Sequence, residues 1–322
     1  AVKILLSYLK EIEARRQSIG ANSDSMETIK AAERQIHESN GVPFDEIKEF
    51  FHLPEYAASK AVVDPNAIQL ESIVISQLRD FVQCIAHTYH ANSFHNFEHA
   101  SHVMLSVVKL LKRILAPTEN EEITDDEAIH DYTFGITSDP LTQFLVVLSA
   151  PAHDIDHSGV PDSRFSQEED WLAQIYCGKS IACQAELCRH CLGVAQDERI
   201  DALRMAIYST VENLKPFCQM MVHTVLATDI MDQELTQERK ERWSAMFGLD
   251  GDSKKSWSRN AGVDNEVDCK AMIVIEHLMQ ASDVAHTMQH WHVYQKWNAR
   301  LFNEMYRAYK EGRSEKDPTE FW

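Results

Sequence analysis

Apolar residues recur at three- and four-residue intervals throughout this chain, and that periodicity restricts its possible folds more than any other feature. After His99, Val103, Val107, Leu111 and Ile114 fall on one helical face, while Ser106, Lys109 and Lys112 fall elsewhere. From Ala271 to Lys310 the spacing runs through Met272, Ile275, Leu278 and Met279 and resumes at Trp291, Tyr294, Trp297 and Leu301, which predicts two core helices with Ser282-Asp283 near their junction. Glycine (10) and proline (9) are sparse among 322 residues, and no sustained alternation of apolar and polar residues marks a sheet. The expected fold class is all-α, a compact multi-helix bundle.

Residues 1–40 read as a helical linker or N-terminal extension, with polar helices over Val2 to Arg16 and Met26 to Glu38. The main body begins near Val42-Pro43-Phe44, and residues 41–322 read as one domain. Loops are expected over Ala116 to Asp131, which is acidic, and over Gly248 to Asn265, rich in Gly, Ser, Asp and Lys. Thirty-one Lys plus Arg against 50 Asp plus Glu gives a net charge of -19, a field that repels a phosphate backbone and argues against duplex nucleic acid as a partner. The same field admits a small anionic substrate where bound cations dominate the pocket. Seven cysteines in a chain of this size point to a reducing compartment rather than a disulfide framework. The Cys188-x-x-Cys191 pair lacks a second pair to complete a zinc knuckle and reads as one face of a buried helix. Phe144 to Ala150, the longest apolar stretch, is too short to span a bilayer, so no membrane insertion by this segment is expected.

Two clusters carry chemistry. In Asn92-Ser93-Phe94-His95-Asn96-Phe97-Glu98-His99 two imidazoles sit four residues apart, a spacing that suits metal binding, or one metal ligand beside one proton carrier. Taken alone, the pair is better read as capped or surface histidines. In His153-Asp154-Ile155-Asp156-His157 four ionisable groups follow the apolar helix expected over Leu141 to Leu148. Burying that helix carries the cluster to the edge of the core, where a divalent ion is the usual compensation for adjacent carboxylates and imidazoles.

The adjacent His153-Asp154 resembles the signature of the HD superfamily of helical metallohydrolases. Over Val42 to Trp322 the chain further resembles the class I cyclic nucleotide phosphodiesterases. Phe94 to His99 is similar to that family's Tyr-His-Asn-x-x-His, and Ala152 to Val160 to its Ile-His-Asp-x-Asp-His-x-Gly-Val. Val225 to Ile230 is similar to its Leu-Ala-Thr-Asp-Met segment. Ala281-Ser282-Asp283 and Tyr294-Gln295-Lys296-Trp297 resemble its Cys-Ala-Asp and Tyr-Arg-Gln-Trp. The resemblance implies hydrolysis of cAMP or cGMP to nucleoside 5′-monophosphates. It makes His99, His153, Asp154 and Asp283 ligands of a zinc-like ion, with Asp154 bridging to a second site for magnesium or manganese, and His95 the acid that protonates the departing O3′. Phe94, His157 and Thr228 match positions around the metals or substrate.

Cys183 stands where the family usually has a glutamate, Glu186 where it has a histidine, and His286 where an asparagine contacts the base. The glutamine and phenylalanine that hold the base in the family lie beyond Trp322, so the segment is expected to lack the C-terminal helices. The wording is similar to protist and algal members, in which such domains often follow a nucleotide cyclase in one membrane-anchored polypeptide. That implies a cytoplasmic location, on the cytosolic side of such a parent. The competing readings are another HD-type nucleotide phosphohydrolase and a catalytically silent nucleotide-sensing module of a larger receptor.

Overall fold

The computed structural model describes residues 1–39, 53, 63–115, 126–161, 164, 198–230, 233–248 and 266–320. Among them lie eleven α-helices and no strand: α1 (Val2–Ile19), α2 (Met26–Ser39), α3 (Ser72–Thr88), α4 (Phe97–Leu115), α5 (Asp126–Tyr132), α6 (Pro140–Ala152), α7 (Asp201–Ile207), α8 (Val211–Leu226), α9 (Gln233–Phe247), α10 (Glu266–Asp283) and α11 (Trp291–Lys310). A 3-10 segment, Val284–Met288, joins α10 to α11. The all-α expectation holds.

Helix α6 is the centre of the fold. Every side chain from Thr142 to Ala152 is buried, so the helix has no solvent face and must be surrounded, as it is, by α1, α4, α8 and α10. Phe144, Leu145, Val146 and Val147 are each fully enclosed, and removing such side chains from water stabilises the fold by about 1.5–3 kcal/mol apiece. Asp139 starts the helix: its carboxylate accepts the N–H groups of Leu141 and Thr142, and Pro140 supplies a preset φ in the first turn. The helix runs four residues beyond the Leu148 expected from sequence, through Pro151, and its end delivers His153 and Asp154 inside the molecule.

Residues 1–39, expected as a linker or extension, are packed into the main core. Leu5, Leu9 and Ile12 of α1 and Ile29 of α2 belong to the same apolar cluster as α6. Arg16 donates to the carbonyls of Met205 (3.0 Å) and Ile207 (2.6 Å), closing the end of α7. On α2, Glu33 is buried against Arg204 (3.0 Å) and accepts the Tyr208 hydroxyl (2.7 Å). The sequence understated these helices because their charged residues outnumber a narrow apolar stripe. Long side chains such as Arg16 cover apolar surface with their stems while their heads reach carbonyls.

The expected loop over Ala116 to Asp131 is replaced at its end by α5, a helix too short for periodicity to reveal. Its exit turns through Gly135 at φ 81°, whose N–H bonds to the His130 carbonyl at 2.8 Å. Residues 116–125 lie outside the described residues, as does the expected loop after Gly248. Among the described residues no helix is long and apolar enough to cross a membrane.

Leu9→Ala tests whether α1 belongs to the core. Leu9 is fully enclosed, so its truncation is expected to cost about 2–5 kcal/mol in urea unfolding of the whole chain, whereas a linker residue would cost nothing measurable.

Candidate metal centre and active site

Three helix ends converge on one point. Asn96 caps α4, its side-chain oxygen accepting the N–H groups of Glu98 (3.0 Å) and His99 (3.1 Å), and this sets His99 in the first turn, facing inward. His153 and Asp154 follow the end of α6, and Asp283 is the last residue of α10, which packs along α4. His99 Nε2 lies 3.0 Å from Asp283 Oδ1 and 3.8 Å from Asp154 Oδ2. His153 Nε2 lies 3.1 Å from Asp154 Oδ2 and 3.5 Å from Asp283 Oδ1. The four residues that the resemblance marked as ligands therefore meet in one cluster.

Two observations show that this cluster fits a divalent cation. The ring of His153 is oriented by Nδ1, which donates to the Ala150 carbonyl at 2.7 Å, so Nε2 is left as the lone-pair nitrogen aimed at the cluster. Yet His153 Nε2 and Asp154 Oδ2 are buried and neither makes a hydrogen bond. Orphaned buried polar atoms are costly unless something else coordinates them. Two imidazole nitrogens and two carboxylate oxygens are the donor set of zinc and its neighbours. Without a cation the groups compensate one another. Burial opposes charge on all of them, but the Asp154 carboxylate holds His153 well above the ordinary imidazole range, and His153 in turn holds Asp154 far below the carboxylate range. Asp283 is likewise pulled down, against its burial, by His153 and His99.

His95 does not share a helical turn with His99, as its spacing suggested; it lies in the bend ahead of the Asn96 cap. Its position comes from Glu304, buried on α11 and absent from the sequence reading. One Glu304 oxygen accepts the backbone N–H groups of Phe94 (2.6 Å) and His95 (3.1 Å), and the other faces His95 Nδ1 at 2.5 Å. Burial lowers the His95 pKa, but the hydrogen bond from Glu304 and the Asp154 charge outweigh it, and the net direction is upward. The signal for Glu304 was faint: Trp297, Glu304 and Ala308, spaced by seven and four, form the buried stripe of α11, so a carboxylate stands at a core position.

The remaining expected residues are placed as follows. His157 stacks on His95 with ring centroids 4.0 Å apart, and burial together with the His95 charge depresses its pKa to about 3, so it is neutral. Phe94 is buried beneath the site, 4.5 Å from the His99 ring and 5.8 Å from Trp297, and acts as packing under the histidines. His286 stands edge-on to Phe94 at 5.2 Å, and burial lowers its pKa. The Thr228 hydroxyl donates to the Val225 carbonyl; its segment is tied to α10 by Gln280, which donates to the Ala227 carbonyl at 2.8 Å. Cys183, Glu186 and the Cys188-Cys191 pair lie outside the described residues.

Comparison with known proteins shows which family the chain belongs to. The sequence model of the 3'5'-cyclic nucleotide phosphodiesterase family matches residues 94–321. The Caenorhabditis elegans protein named "Probable 3',5'-cyclic-AMP phosphodiesterase pde-4" is 27% identical over 257 residues, covering 78% of this chain and 32% of its own length. The Dictyostelium discoideum "cGMP-specific 3',5'-cGMP phosphodiesterase 3" is 23% identical over 231 residues, covering 72% of this chain and 42% of its own length. This chain thus spans well under half of those relatives. Among solved structures, the phosphodiesterase domain of Salpingoeca rosetta rhodopsin phosphodiesterase superposes with a TM-score of 0.51 at 18% identity, covering 73% of this chain and 60% of that one, a likeness of fold. With the family match covering every residue of the metal cluster, the chain belongs to the 3'5'-cyclic nucleotide phosphodiesterase family.

Proposed function

We propose that this chain hydrolyses 3′,5′-cyclic nucleotides, cAMP or cGMP, to nucleoside 5′-monophosphates. The observation that carries this reading is the meeting of His99, His153, Asp154 and Asp283 in one cluster, with His95 held beside it by Glu304. In this reading His99, His153, Asp154 and Asp283 would hold a zinc-like ion, and Asp154 would also serve a second site for magnesium or manganese. Divalent cations in such a pair supply Lewis acidity toward the phosphoryl oxygens and make water a stronger acid. The protein's own residues do the rest. Glu304 accepts a hydrogen bond from the Nδ1–H of His95, which leaves Nε2 as the ring nitrogen that can give a proton to the departing O3′. Neutral His157, stacked on His95, adds no competing charge and restricts the rotation of that ring. His286, at the edge of the cluster, stands where the family has its base-contacting asparagine, and Thr228 matches by sequence a position that would orient water at the second site. Cys183 and Glu186 take the place of a glutamate and histidine there. The parent protein, in this reading, joins the domain to a nucleotide cyclase and displays it in the cytoplasm.

Three measurements test these roles. Hydrolysis of cAMP and cGMP by the purified chain is expected to fall about 10²–10⁴-fold in His95→Ala with metal content unchanged, while Asp154→Ala loses both activity and metal. Wild-type turnover in His95→Ala would remove the general-acid role.

The pH profile isolates Glu304. Its hydrogen bond and charge raise the pKa of His95, so the acid form persists to higher pH. Glu304→Gln removes the charge, and the alkaline limb of kcat is expected to move to lower pH. An unmoved limb would separate Glu304 from the titration of His95.

Metal binding is also a stability statement. With His153 Nε2 and Asp154 Oδ2 buried and orphaned, chelation is expected to lower the Tm of the chain, and zinc or manganese to restore it. The restoration should vanish in Asp283→Asn.

A further inference from the structure

We propose that Asn92 is a positioning residue for the proton-donating histidine, and that it works as a clamp between the loop carrying His95 and the loop carrying His157. This rests on the phosphodiesterase reading above, which gives His95 its task.

Asn92 spends both amide hydrogens on carbonyls of the two histidines that stack. Its Nδ2 donates to the His157 carbonyl at 2.7 Å and to the His95 carbonyl at 3.1 Å. Two carbonyls facing one amide group assign the NH2 end to that side, since the oxygen would meet only repulsion there. The clamp is anchored from behind. Asn96, the cap of α4, donates its side-chain amide to the Asn92 carbonyl at 2.9 Å, and the same Asn96 holds the His99 N–H. On the far side, the Gly159 N–H donates to His157 Nδ1 at 3.0 Å and so fixes that ring's tautomer and direction. A hydrogen-bonded path therefore runs from the start of α4 through Asn92 to the His157 loop.

Gly159 shows that the approach is tight. It sits at φ 76°, and a Cβ built there would lie 2.9 Å from Asn92 Oδ1. A side chain at 159 is thus strained by its backbone and strikes the clamp at the same time. A second, outer contact joins the same segments: His90 Nε2 meets Asp156 Oδ1 at 2.7 Å, with Asp156 at φ 60°. Both of those side chains are more than half exposed, so that contact is worth little by comparison. Glu304 restrains one edge of the His95 loop from α11; Asn92 restrains the other edge from the His157 loop. Neither the metal ligands nor their backbone groups are bonded by the Asn92 side chain, so its loss should misplace His95 and leave the cations in place.

The test separates proton donation from everything else by changing the leaving group. In the natural substrate a water loses one proton to solvent as its oxygen bonds to phosphorus, the P–O3′ bond breaks, and the alkoxide takes a proton from His95, which solvent then replaces. In a cyclic nucleotide with sulfur in place of the bridging 3′ oxygen, the P–S bond breaks and the thiolate departs without a proton. Asn92→Ala is expected to lower kcat on the oxygen substrate by about 10²-fold, the cost of a misplaced catalytic group, and to change the sulfur substrate less than about threefold. Metal content and Tm should match the parent. Gly159→Ala should show the same selectivity, and the double variant should be little worse than either, since both break one clamp. Equal losses on both substrates, loss of metal, or wild-type rates on both would overturn the proposal while leaving the phosphodiesterase reading standing. A parent chain, metal-loaded and folded, that cleaves neither substrate would overturn that reading and this one together.

Discussion

The structure depends on the enclosure of α6. A helix apolar on every side has no amphipathic solution; it has to be wrapped, and α1, α4, α8 and α10 do so. Their arrangement then decides where their ends fall. The start of α4 and the end of α10 come to the end of α6, so His99, Asp283, His153 and Asp154 meet because the helices that carry them share one core. The cost of gathering two carboxylates and two imidazoles out of water is carried by that same burial, since the groups have nowhere else to go once α6 is enclosed. This also explains why α1 and α2 matter. They lie before the part matched by the family, yet Leu5 and Leu9 of α1 belong to the wall around α6, and Ile29 of α2 joins the same core, where α2 packs on α8.

The site divides into two mechanical parts. The candidate metal ligands stand at or just beyond helix ends, where cap and carbonyl hydrogen bonds and core packing set them: the Asn96 side chain for His99, the Ala150 carbonyl for His153. His95 and His157 stand on irregular segments, where nothing periodic holds them. They are held instead by single side chains, Glu304 from α11 and Asn92 between the loops. A site built this way keeps its cations under substitutions that disturb its proton chemistry, because the two functions draw on different supports.

What was legible in the sequence follows the same division. The candidate ligands were marked by short motifs that resemble a known family, while helical periodicity foretold α4, α10 and α11 and an unbroken apolar run foretold α6, each within a few residues. Glu304 and Asn92 could not be read in that way. Glu304 is 209 residues from His95, and its only local mark is a charge on the inner stripe of α11. Asn92 is three residues from His95 but owes its role to His157, 65 residues away, and an asparagine before a helix cap ordinarily reads as turn chemistry. The same limit applied to α1 and α2, whose stripes were too narrow to reveal that they face a helix with no outer side.

Electrostatics ties these parts into one argument. The chain carries a net charge of -19, and two of its carboxylates, Asp154 and Asp283, stand in the cluster where, on the proposed reading, an anionic phosphodiester would enter. Such a centre repels its own substrate until cations reverse the local sign. The two imidazoles beside it are then set apart by environment: His95, with Glu304 behind it, is biased toward the charged form, and His157, half-buried with the Gly159 N–H donating to its Nδ1, toward the neutral one. Stacked rings of this kind cannot both be protonated at little cost, so the neutrality of His157 is a condition for the charge on His95.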